Sequence, residues 1–390
     1  MLVAEPPATI TTVAEFFRHH DAGRVPTLLP KRYRRKKTNA LAFFRGSAPL
    51  YYTRFRTASA LADEPAGWLC GDAHIENYGS YRGDNGLVYF DLNDFDEALL
   101  GPLGWDVGRL LVSARLAAAA ALDGGKPYLL KRATARARVQ QLLKTVAHRR
   151  QRELLAGRVS HRSSWRLRSR HVPALRPLEH QAVLRTAEAW RRAQPTPRCG
   201  PLLEVAGRIA GVGSLDVPHY ALLAHSRQPG RLPRLLDLKF ALPAAPAVYC
   251  LVLQPARLSE AARTIVVQGY LQATYPALLQ PLELAGRPFV LRALQPVTDK
   301  LDFYNFTCDA VDLRAAPPTF GHLLAWAYLR AAGYRGAAGP DALRAFGAAT
   351  RWQNNLLVFA TEAQRVVVAD YVAFARACRA GEFTTTSQSA

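Results

Sequence analysis

Between Cys70 and Asp106 the chain reads CGDAHIENYGSYRGDNGLVYFDLNDFDEALLGPLGWD. Eight acids (Asp72, Glu76, Asp84, Asp91, Asp94, Asp96, Glu97, Asp106) share that stretch with one base, Arg82. The whole chain carries 51 Lys+Arg against 30 Asp+Glu, for a net charge of +21. An acidic island in so basic a protein suggests carboxylates gathered for a cation. Leu87-Val88-Tyr89-Phe90 is β-prone and follows the turn Gly83-Asp84-Asn85-Gly86, which predicts a hairpin. Asp72 and Asn77 fall in a loop before that hairpin, and Asp94 falls after its second strand.

That layout suits phosphoryl transfer. A carboxylate orients the acceptor hydroxyl, an amide oxygen five residues on binds a metal, and a second carboxylate after the hairpin bridges metal to phosphates. Positioning and charge neutralisation then supply the rate. Mg²⁺ fits, because it takes a few oxygens from protein and the rest from phosphate and water. A structural reading stays open beside this one, since Asp and Asn are common turn residues. Asp91 and Asp96 are read as supporting or turn carboxylates.

GDAHIEN resembles the HGDxHxxN loop of aminoglycoside and choline kinases, with Cys70 where they have His. DFDEALLGPLGWDVGRL resembles their DFDxAxxGxxxxDLA segment. The resemblance implies that Asp72 is the catalytic-loop Asp, and that Asn77 and Asp94 bind the metal. It also implies that Asp106 is a buried Asp accepting backbone N–H bonds from the catalytic loop. More closely, the chain resembles the bacterial family called domain of unknown function 2252, over FFRGSAP, GDAHIENYG, FDLNDFDEA, GRIAGVGSLDVPHY and LRALQP. That family name brings no activity. It includes FRG, so Arg45 is read either as a brace for the acidic loop, as a phosphate contact, or as a surface arginine beside a helix break.

At 390 residues the chain can bury a large core, as two domains or one bilobal unit. Five scattered cysteines show no zinc spacing, which favours a reducing compartment. MLVAEPPATITTVAEFF lacks the basic and apolar regions of a signal peptide, and no apolar run could span a bilayer, so a cytoplasmic location is expected. Basic clusters at Lys31–Lys37 and from Lys131 to Arg170 leave a nucleic-acid reading open. No recognisable nucleic-acid-binding motif accompanies them, and solvated helix faces are favoured.

Composition changes after Gln194-Pro195-Thr196-Pro197. Apolar and β-branched runs separated by turns predict an antiparallel sheet from Val205 to Val252, including RLLDLKFALP and AVYCLV. Gly211-Val212-Gly213-Ser214 sits in a strand-to-strand turn, where glycines let backbone N–H groups approach phosphates. Lys239 is the only lysine between Lys144 and Lys300 in a chain that prefers arginine, which suggests a point charge is needed on its strand. Together these resemble the glycine-rich loop and strand lysine of the kinase small lobe, except that the third glycine is Asp216. An exposed edge-strand lysine is the plainer alternative. A helix is predicted over Leu258–Leu279, where Glu260 is the lone acid. It is either the partner of that lysine or a helix N-terminal dipole residue. Arg287–Pro296 reads as a strand leading into a hinge, Gly321–Ala332 and Pro340–Arg379 as helices, and the tail as disordered.

The order is unusual, because the acidic window precedes the glycine loop and lysine. A circular permutation reconciles this. The expectation is an α+β, bilobal, protein-kinase-like fold. Residues 1–195 would form a helical half with the catalytic loop, 196–300 a nucleotide-binding sheet, and 301–390 helices completing the large lobe. The expected function is transfer of phosphate from ATP, with Mg²⁺, to a hydroxyl of an acceptor. AMP transfer, regulatory nucleotide binding and nucleic-acid binding are the alternatives.

Overall fold

The structure is a computed structural model that describes residues 12–22, 28–56, 58, 64–123, 133–149, 151–161, 164–168, 175–195, 199–209, 217–228, 230–256, 258–295 and 316–383. It has both helices and sheets, an α+β architecture. Four short helices come first: α1 (Val13–His20), α2 (Leu29–Lys36), α3 (Ala40–Arg45) and α4 (Ala48–Phe55). Strand β1 (Ala66–Leu69) then leads into the acidic stretch, which supplies β2 (Tyr78–Arg82), β3 (Val88–Leu92) and β4 (Leu99–Pro102). Strand β1 pairs antiparallel with β4, and β2 with β3. The Gly83–Gly86 turn joins β2 to β3, with Gly86 at φ 80°. Next come α5 (Gly104–Asp123), α6 (Ala133–His148), α7 (Gln151–Leu155), the small hairpin β5 (Val159–His161) and β6 (Trp165–Leu167), and α8 (Pro177–Ala193).

The main sheet follows: β7 (Leu202–Gly207), β8 (His219–Ala224), β9 (Arg234–Phe240), then α9 (Glu260–Leu271), β10 (Gln280–Leu284) and β11 (Arg287–Ala293). Its order is β10-β11-β9-β8-β7, antiparallel throughout. Alternation along β9 sorts the side chains. Leu236 and Leu238 pack with Val183 and Ala187 of α8 on one face. Leu235, Asp237 and Lys239 therefore share the other. The sequence placed α8 with the segment before residue 196, but it packs on the sheet. Helix α9 stops at Leu271, short of the predicted 279, and strand β10, which no prediction covered, is joined to β11 through Ala285 and Gly286 at φ 51° and 73°.

One prediction fails in the stretch after β9. Ala247-Val248-Tyr249-Cys250-Leu251-Val252 forms no strand; Ala245–Val248 is a 3₁₀ turn and Leu251 is fully exposed. Prolines 243, 246 and 255 surround the run, and β11 already occupies the free edge of β9.

The C-terminal helices α10 (Ala316–Ala331), α11 (Pro340–Ala348) and α12 (Arg351–Arg379) complete the chain. They return to the N-terminal half: α1–α5, β1, β4, α10 and α12 share one apolar core. Phe374 of α12 is surrounded by Phe17, Tyr33, Phe43 and Phe383, with ring centroids 4.9–5.7 Å apart. The basic cluster Lys31–Lys37 contributes to this core. Arg32 and Lys36 are buried, Arg32 beside Asp21 and Lys36 4.2 Å from the centre of the Phe17 ring. Two of the six bases in that cluster are thus structural. No helix among the described residues is long and apolar enough to cross a membrane.

Phe374 holds the two ends of the chain together, so Phe374→Ala should cost about 3–5 kcal/mol of stability. Urea unfolding measures this; a loss within experimental error would show that the terminal helices do not share one cooperative core.

Candidate active site

The acidic loop is fixed by a carboxylate on a neighbouring helix. Asp106, in the first turn of α5, is buried and accepts from the N–H groups of Cys70 at 2.9 Å and Gly71 at 3.0 Å. This is the arrangement the kinase resemblance implied. Gly71 is required on two counts. Its φ is 79°, and a Cβ there would overlap the Glu97 carbonyl. The Tyr52 hydroxyl donates to the Gly71 carbonyl.

One turn along α5 lies Arg109, fully buried, which sequence reasoning passed over. Its Nε donates to Asp72 Oδ1 at 2.6 Å and it lies between the rings of Phe44 and Tyr51. An arginine three residues after Asp106, on the same face of an apolar helix, was the available signal. His74 orders the same loop: Nδ1 accepts from the Glu76 N–H at 3.1 Å, and Nε2 is 3.7 Å from Asp72 Oδ2. Arg45 forms an ion pair with Glu76, the bracing contact foreseen for it.

Asn77 joins the loop to the segment after the hairpin. Its Nδ2 donates to the carbonyls of Asp72 at 2.9 Å and Asp94 at 3.0 Å. The Asn93 N–H returns to the Asn77 carbonyl at 3.0 Å. With the nitrogen so committed, the buried Oδ1 has no hydrogen-bond partner. Asp91 plays a structural part, accepting from Arg330 of α10 at 2.8 Å and from the N–H of Leu92 at 2.9 Å.

The sheet brings its own charges to this loop. Lys239 pairs with Asp96, and its ammonium lies in the field of Asp94. Burial works against the lysine's charge, but Asp94 and Asp96 outweigh it and raise the pKa. Glu260 is not the partner of Lys239. It sits in the first turn of α9 and accepts from Arg263 Nε at 2.7 Å, the dipole position left open above. Arg263 then reaches the carbonyls of Asp96 at 2.8 Å and Leu242 at 3.0 Å, tying α9 to the acidic segment. The structure therefore gathers Asp72, Asn77, Asp94 and Lys239 and leaves Glu260 apart. Gly211, Gly213, Ser214 and Asp216 lie outside the described residues.

Beside Lys239 on the same face is a second buried group. Asp237 meets His219 Nε2 at 2.5 Å, Arg292 Nε at 3.2 Å and the Arg208 guanidinium. Burial alone would raise the Asp237 pKa, but His219, Arg208 and Arg292 hold it well below the usual range. Nothing in RLLDLKF announced this cluster, because its members come from three strands and the end of β7.

A family model described as "Uncharacterized protein conserved in bacteria (DUF2252)" matches residues 24–126 and 128–377. The chain belongs to that family. Comparison with curated proteins and with solved structures finds no match. The DUF2252 match takes in the loop, the hairpin, the sheet and the returning helices, and so contains every group placed at the site above.

Burial raises the Asp72 carboxyl above its ordinary pKa despite Arg109. It also pushes Glu97, which accepts from the Ala245 N–H, up to about 7 from 4.5. Because the folded-state value is the higher one, native protein binds that proton more tightly. Stability from this group is full below about 4.5 and is lost as pH rises toward 7. Relative to Glu97→Gln, the wild type should lose on the order of 2–3 kcal/mol across that window. Paired urea unfolding from pH 4.5 to pH 8 reads the difference; a constant offset would contradict it.

Proposed function

We propose that the protein is an ATP- and Mg²⁺-dependent kinase-like phosphotransferase that acts on a hydroxyl of an acceptor. The observation that carries this reading is Asn77. An unpartnered buried amide oxygen costs about 1–3 kcal/mol. A cation held by Asn77 Oδ1 and Asp94 would offset that cost. Among the described residues no group of three or more His, Cys, Asp or Glu is poised around a metal. Two protein oxygens, with the rest from phosphate and water, is the pattern that suits magnesium. When bound, the ion supplies charge neutralisation at the phosphates.

The remaining roles belong to the chain itself. Asp72 orients the acceptor hydroxyl, with Arg109 fixing its rotamer from below. Its raised pKa makes it a better proton acceptor than an ordinary Asp. Lys239 exchanges Asp96 for phosphate oxygens. Its placement supports the kinase-like reading: it lies in the third strand of a meander, and the next α-helix in the chain, beyond a 3₁₀ turn, is α9, as the kinase lysine precedes αC. The permuted order is supported by the shared core of the N-terminal and C-terminal helices. AMP transfer and regulatory nucleotide binding would use the same residues, and the product formed from labelled ATP separates them from phosphoryl transfer.

Two substitutions should fail differently. Asp94→Asn removes charge from the metal site, so MgATP affinity should fall about tenfold or more and turnover with it. Asp72→Asn loses an interaction that matters in the transition state. Turnover should drop by roughly 10²–10⁴ while nucleotide affinity stays within about twofold. Calorimetric titration with MgATP beside a turnover assay checks both. Loss of nucleotide binding in Asp72→Asn would reassign Asp72 to structure, and full activity in both would put the site elsewhere.

A further inference from the structure

A cavity of about 450 Å³ opens beside the candidate metal site. That volume lies within the range of small-molecule pockets, about 300–1,000 Å³. Its wall carries Arg82, Arg149, Arg231, Arg234 and Arg292, and no Asp or Glu lines it among the described residues. The chain as a whole has 30 acids to 51 bases, so an acid-free wall with five arginines is more one-sided than composition alone would give.

The wall is assembled from distant segments and held by specific contacts. Gln151 Nε2 donates to the Pro233 carbonyl at 2.7 Å, which fastens α7 to the start of β9. Gln295 donates to the Ser80 carbonyl and joins the end of β11 to the β2–β3 hairpin. On the same wall, half-buried Arg292 is oriented by Asp237 at 3.2 Å. At the rim Arg231 and Arg234 are exposed. Asn93 links this space to the metal site, since it lines the cavity and its N–H caps the Asn77 carbonyl. Planar guanidinium groups pair bidentately with phosphate, and several on one concave wall add a local positive field.

We propose that this cavity binds a small molecule through its phosphate groups. The proposal does not depend on phosphoryl transfer, because guanidinium recognition needs no metal. The occupant is either the nucleotide's own polyphosphate or a second, phosphorylated ligand. Side-chain amides on the same wall (Gln228, Gln268, Gln295) supply neutral donors and acceptors for the rest of the molecule.

The test is calorimetric titration of the full chain with sodium tripolyphosphate in EDTA at low salt. Wild-type protein should bind, and Arg231→Glu/Arg234→Glu should weaken binding about tenfold or more. The milder Arg231→Ala/Arg234→Ala should weaken it in the same direction. Lys31→Glu/Lys37→Glu, an equal charge change at exposed positions on α2 and its C-cap, should leave it within about twofold. No binding by wild type overturns the proposal, and so does equal weakening by the two charge reversals. Competition then identifies the occupant. Displacement of MgATP by tripolyphosphate assigns the cavity to the nucleotide's phosphates, whereas simultaneous binding assigns it to a second phosphorylated ligand. Arginine-dependent tripolyphosphate binding without any MgATP binding would sustain the cavity and sink the phosphotransferase reading.

Discussion

Two backbone amides, those of Cys70 and Gly71, end on one buried carboxylate, and the rest of the site depends on that junction. Without Asp106 the loop would present unpaired N–H groups to an apolar interior, a cost that burial makes severe. Burial raises the Asp106 pKa to about 6 even against those donors, so neutral pH keeps it an acceptor. Once the loop is pinned to α5, the next turn of the same helix delivers Arg109 to Asp72. A single helix thus sets both the backbone of the loop and the Asp72 side chain in it.

The second constraint is charge facing charge across the space between loop and sheet. Burial opposes the charge of both Lys239 and Arg292, yet each is raised in pKa: Lys239 by Asp94 and Asp96, and Arg292 first by Asp237 and then by the same two acids. Such pairs give little net stability, because desolvation offsets much of the attraction. They do fix geometry. Arg263 adds a tie from a guanidinium to neutral acceptors, linking α9 to the carbonyls of Asp96 and Leu242. The consequence is a sheet docked on the acidic segment through polar contacts, with Lys239 of the central strand β9 facing Asp96.

Much of this was legible in the residues. The Gly83–Gly86 turn announced the β2–β3 hairpin. Asp106 could be anticipated from its motif, and the break between α3 and α4 from Gly46 and Pro49. Lys239 stood out through composition, as a lone lysine among arginines. What the sequence hid was long-range. Sequence left Glu260 open between partner of Lys239 and helix N-terminal residue; an i,i+3 arginine captured it and Asp96 took the lysine. The Asp237 cluster draws on residues whose separation in sequence exceeds fifty positions in one pair, Asp237 and Arg292. The KRYRRKK cluster looked like surface, yet Arg32 and Lys36 found an acid and an aromatic ring inside. Local pattern gave the elements; the choice among ion-pair partners was made by packing.

The claim at the centre of the account is that Asn77 Oδ1 and Asp94 hold a divalent ion against nucleotide phosphates. Manganese is an oxygen-seeking stand-in for magnesium, and its anomalous scattering in crystals grown with a non-hydrolysable ATP analogue tests the claim directly. The account predicts one peak about 2.1–2.2 Å from Asn77 Oδ1 and an Asp94 carboxylate oxygen, with Lys239 on the phosphates. A peak bound elsewhere, or nucleotide ordered without any ion at Asn77, would contradict it.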